Sequence, residues 1–75
     1  MADRSQFRED DPRHHTARLK QMLTEVIEHA REDVSKVMDP RAQALFETSA
    51  EVLIGLRKAY EDYEEGIEAA WRKTG

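Results

Sequence analysis

The chain has 75 residues, a formal net charge of -4, 37% charged side chains and no cysteine. These figures exclude disulfide stapling, thiolate nucleophiles and sulfur-ligated metals, and a slightly acidic, charge-dense surface has no bulk attraction for nucleic acid or anionic lipid. So short a chain lies below the size at which one hydrophobic core is comfortably stable, which leaves metal binding, self-association or close helix packing to make up the difference.

The longest wholly aliphatic run is Val52-Leu53-Ile54, and the opening residues Met1-Ala2-Asp3-Arg4-Ser5 lack the apolar segment of a signal peptide. A soluble, cytoplasmic protein is expected. Charge-rich chains include disordered ones, but the apolar residues here recur at regular spacing where disorder scatters them, so folded helices are expected.

Residues 1–11 are mostly charged, with Phe7 as their one large apolar side chain. They read as a flexible tail, with Phe7 folding back onto a helix end as the alternative. The tripeptide Asp-Pro-Arg then occurs twice, at Asp11-Pro12-Arg13 and Asp39-Pro40-Arg41. Aspartate at an N-cap accepts a hydrogen bond from free backbone amides, and proline at the first helical position loses no bond and already has a helical φ. Proline also keeps the preceding aspartate out of helical geometry, so the second copy must end one helix as it begins the next.

The first helix is predicted over residues 12–38, with Leu19, Met22, Leu23, Val26, Ile27, Ala30, Val34 and Val37 as its apolar stripe. The link that follows has room for only two or three residues, which makes the helices antiparallel neighbours. Folding the chain about Met38 and Asp39 sets Arg13, Arg18 and Lys20 opposite Glu61, Asp62, Glu64 and Glu65. It also groups His29 and Asp33 with Thr48 and Ser49 as a polar layer.

The second helix is predicted over residues 40–72. From Ala42 through Leu45, Ser49, Val52, Leu56, Ala59, Tyr63 and Gly66 to Ala70, apolar and small residues step by three and four, and Phe46, Leu53, Tyr60 and Ile67 form a second row every seventh residue. Such a face is wider than one partner helix needs. The fold class expected is all-α: a two-helix hairpin over residues 12–75 that pairs into a homodimeric four-helix bundle with Leu45, Val52, Leu53, Leu56, Tyr60, Tyr63 and Ile67 as the dimer core. At about 1.5 Å per residue the helices span roughly 39 Å and 50 Å, so the last turns, with Ile67, Ala70 and Trp71, overhang and need cover. Phe46, Ala50 and Ile54 lie to the other side of the seam and read as a second contact patch for a higher assembly or another protein.

Catalytic patterns are nearly absent. Gly55 and Gly66 interrupt helical patterns and form no phosphate loop, and the serines lack a strained-turn context. His14 and His15 read as early-helix residues. A dimerised hairpin resembles the ferritin-like carboxylate bundles in architecture, and that resemblance implies iron or manganese held by inward glutamates and Glu-x-x-His pairs. Here the spacing is Glu25-x-x-x-His29, so the ligand pattern departs from the family. The residues that could form a divalent-metal site are Glu25, His29, Glu32 and Asp33, since imidazole with carboxylate suits zinc, manganese or iron. Two functions follow: a non-enzymatic, self-associating helical module with no cofactor, or a metal-binding oxidase or storage bundle. Neither uses nucleic acid or membrane.

Overall fold

The computed structural model describes residues 8–74, and the side chains of residues 8–67. Two helices make up the fold, α1 (Pro12–Val34) and α2 (Pro40–Thr74), packed side by side as an antiparallel hairpin. No strand occurs among the described residues, and no helix is long and apolar enough to cross a membrane. The expectations for Phe7, Ala70 and Trp71 fall outside the described side chains.

Both Asp-Pro-Arg copies start a helix as the chemistry requires. Asp11 is extended (φ -82°, ψ 125°) and its Oδ1 accepts from the Arg13 amide at 2.9 Å. Asp39 Oδ1 accepts from the Arg41 amide at 3.0 Å. In the first copy the arginine also folds back, with Nη2 2.8 Å from Asp11 Oδ2 and Nε 3.2 Å from Oδ1. Arg13 is therefore engaged with its own cap.

The first helix ends at Val34 and not at residue 37 or 38, which makes the link five residues, Ser35 to Asp39. The Ser35 hydroxyl donates to the Glu32 carbonyl at 2.9 Å, and Lys36 N–H donates to Asp33 in a tightened last turn, a local bond that competes with helix continuation. The carbonyls freed at this end are satisfied from the other helix. Gln43 Nε2 donates to Val37 O at 2.8 Å and to Val34 O at 3.3 Å, so one side chain ties the end of α1 and the link to the first turn of α2.

Cross-helix bonds fix the register. Gln43 meets Val34 and Val37, Arg57 donates to the Thr24 hydroxyl at 3.0 Å, and Glu64 takes Lys20 Nζ at 2.6 Å and the Thr16 hydroxyl. Toward the open end the pairing is thus about one turn off the fold about Met38 and Asp39. Lys20 finds an acidic partner as expected. His29 and Asp33, however, pair with each other at 3.2 Å, and among the described residues neither is bonded to Thr48 or Ser49.

The molecule measures 54 × 25 × 14 Å, one helix thick. Only Ile27 (3% exposed) and Ala50 (2%) are fully buried among the described residues.

Two measurements test this account. Gln43→Ala leaves two carbonyls at the α1 end without their donor and should lower stability by about 1–2 kcal/mol in thermal melts, with helix content unchanged at low temperature. The second concerns acid. The Arg13 side chain, and after it the Arg13 amide, hold the Asp11 carboxyl below its ordinary 3.8. A carboxyl lowered on folding contributes stability that is complete above its unfolded value and is lost as pH falls through the lowered folded value. Asp11→Asn should therefore flatten the acid limb below about pH 4, and superimposable limbs for the two proteins would contradict the pairing.

Candidate functional site

Each helix presents two rows of residues, and the hairpin uses one of them. On α2 the row Gln43, Phe46, Ala50, Leu53, Arg57, Tyr60, Glu64 and Ile67 steps by three and four, and every member is buried or half-buried. On α1 the matching row is Thr16, Lys20, Leu23, Ile27, Ala30 and Val34, followed by Val37 of the link, again all buried or half-buried. These rows face each other. The seam through Leu45 and Leu56 is not the one that packs inside the hairpin.

That other seam lies one residue earlier along α2. Stepping back one residue turns about 100° around a helix. Because the two chains run in opposite directions, stepping back on α1 and on α2 turns opposite ways when both are viewed from one end, so both rows emerge on the same side of the hairpin. On α1 the row holds Leu19, Met22 and Val26. On α2 it holds Leu45, Val52, Leu56 and Tyr63, with Ala42, Ser49, Ala59 and Gly66 between them. The seven large side chains range from 42% (Leu19) to 62% (Val52) exposed. Together they form one continuous apolar face across both helices. The opposite side is charged: Glu28 and Arg31 on α1, and Glu47, Glu51, Lys58, Glu61 and Glu65 on α2. An open groove of about 370 Å³ on that side is lined by Arg31, Glu47 and Glu51 over Val34 and Ala50.

The proposed dimer-core residues therefore divide. Leu45, Val52, Leu56 and Tyr63 stand on the open face, whereas Leu53, Tyr60 and Ile67 belong to the inner seam. The second contact patch is not a surface: Ala50 is buried against α1, Phe46 shares its row, and Ile54 is half-buried at the edge of the seam.

Sequence reasoning set Lys20 opposite the acidic residues of α2 but missed Thr16, Thr24 and Arg57 as members of a polar half of the inner seam. Toward the open end, Thr16, Lys20 and Thr24 face Arg57 and Glu64, and the Lys20–Glu64 side chains are only 27% and 17% exposed. The signal was present, since residues 57 and 64 continue the three-and-four spacing of Phe46, Ala50, Leu53 and Tyr60; their charge hid it.

Of the four candidate metal ligands, His29 and Asp33 are joined at 3.2 Å, Lys36 approaches Asp33 at 3.9 Å, and Glu25 and Glu32 are exposed. The described residues contain no group of three or more histidine or carboxylate side chains placed to hold a metal ion.

The chain matches no family model, no curated protein and no solved structure.

Glu64 holds two α1 side chains at once, so Glu64→Ala should cost about 1–2 kcal/mol, reduced from the value of a fully buried charged bond by partial solvent access. Hydrogen exchange should show the loss as faster opening of residues 13–20 with little change near Ile27; a uniform acceleration across α1 would contradict a local clasp.

Proposed function

We propose that the protein is a non-enzymatic, self-associating helical module whose hairpins dock face to face into a homodimeric four-helix bundle. The observation that carries this reading is the position of Leu19, Met22, Val26, Leu45, Val52, Leu56 and Tyr63 on one side of a molecule one helix thick. An exposed apolar face of this breadth, backed by a charged side, is the usual mark of a protein contact. Covering each of these half-exposed side chains gains on the order of 1 kcal/mol, from both copies, which is the scale needed to offset an association cost of about 4–15 kcal/mol.

A second copy suits the face because the same rows are self-complementary in kind, with the small residues Ala42, Ala59 and Gly66 leaving room beside large ones. The separation of apolar and charged sides also favours a closed pair, since once two faces meet only charged sides remain outside. Iron or manganese chemistry has no comparable support from the geometry of Glu25, His29, Glu32 and Asp33.

Sedimentation should give twice the 8.7 kDa chain mass at micromolar concentration. Because Leu56 stands on the open face and not in the hairpin seam, Leu56→Asp should weaken the dimer by about a hundredfold while leaving a helical monomer. A wild-type chain that remains monomeric at high micromolar concentration, or a Leu56→Asp dimer of wild-type affinity, would overturn the reading.

A further inference from the structure

Two hairpins meeting through one apolar face can be related by a twofold axis parallel to the helices or by one perpendicular to them. The parallel axis sets α1 of each copy against α2 of the other, with both links at the same end. The perpendicular axis sets α1 on α1 and α2 on α2, with the links at opposite ends. Rotation about a parallel axis does not move a residue along the bundle, so every cross-copy level is already fixed by the register inside one hairpin.

The residues flanking the apolar face then decide between the two. On α1 the outer flank is Arg18, Glu25 and Glu32; on α2 it is Arg41, Thr48, Gly55 and Asp62. The register that sets Thr16 against Glu64 and Thr24 against Arg57 places residue 18 level with residue 62 and residue 25 level with residue 55. With a parallel axis, Arg18 of one copy therefore flanks the shared face level with Asp62 of the other, twice per dimer, and Glu25 stands beside a glycine. Within the hairpin Arg18 is exposed and has no partner among the described residues, and Asp62 holds Lys58 at 2.9 Å through Oδ1 alone. With a perpendicular axis the register is free to slide: pairing Arg18 with Glu32 sets Glu25 directly on Glu25 of the other copy, and pairing Arg18 with Glu25 leaves Asp62 level with Gly55, whereas the parallel axis brings Arg18 and Asp62 together with no register to choose.

From this charge pattern we infer that the dimer has its twofold axis parallel to the helices, with both links at one end and its orientation selected by reciprocal Arg18–Asp62 pairs between copies. The inference rests on the self-association reading and specifies its geometry. Exposed flank pairs add little affinity; their role is to reject the alternative orientation.

The test is a mixing experiment. Arg18→Asp alone and Asp62→Arg alone each place two like-charge pairs across the dimer, and each should weaken it by about tenfold. Mixed in equal amounts, the two variants make a heterodimer in which both pairs are complementary, so native mass spectrometry should show the heterodimer well above the statistical half. Single-cysteine variants Arg18→Cys and Asp62→Cys, in a chain with no native cysteine, should cross-link to each other through a short bis-maleimide and not to themselves. A statistical mixture together with self-cross-linking of Arg18→Cys would overturn the parallel axis while leaving the dimer intact. Absence of any dimer in the unmodified chain would instead overturn the self-association reading, and the geometry with it.

Discussion

A pair of helices one layer thick can cover one stripe of each helix and no more, and this limit governs everything else in the molecule. α2 carries two rows with the same three-and-four spacing, offset by a single residue, so packing one row against α1 necessarily leaves the other about 100° away, facing out. The row that goes inside contains Ala50, whose small side chain permits close approach, with Phe46 and Leu53 on either side and Ile27 sealed against them. The row left outside is the more regularly apolar of the two.

The inner seam itself changes character along its length. Near the link, Val34, Val37, Phe46, Ala50, Ile27 and Leu53 make an aliphatic and aromatic contact, capped by the Gln43 amide on the carbonyls of Val34 and Val37. Toward the open end the seam becomes Thr16, Lys20 and Thr24 against Arg57 and Glu64. Replacing apolar contacts with partly buried charged bonds adds little net stability, because desolvation offsets most of the attraction. What such bonds supply is register: a slip by one turn would strand Lys20, Glu64 and Arg57 without partners, whereas aliphatic rows alone would tolerate it.

Charge is distributed to match. Glu28, Glu47, Glu51, Glu61 and Glu65 crowd the side opposite the apolar face, where water can solvate them, and their mutual repulsion discourages stacking on that side. The face between Leu19 and Tyr63 has no such protection. The two sides of the hairpin thus differ in kind, one apolar and one charged.

The sequence by itself determined that there are two helices and where each begins. The two Asp-Pro-Arg copies specify helix starts through local chemistry, capping and a preset φ, which operate on neighbouring residues and so can be read directly. Periodicity likewise established that α2 has an apolar face too wide for a single partner. The tertiary structure alone decided which of the two rows faces α1: the inner row carries the bonds of Glu64 with Thr16 and Lys20 and of Arg57 with Thr24, none of which is visible in hydropathy. It also decided the register, since the end of α1 at Val34 depends on the Ser35 hydroxyl and on Gln43 arriving from the other helix. A register about one turn from the fold about Met38 and Asp39 leaves His29 and Asp33 bonded to each other and not to Thr48 or Ser49 among the described residues.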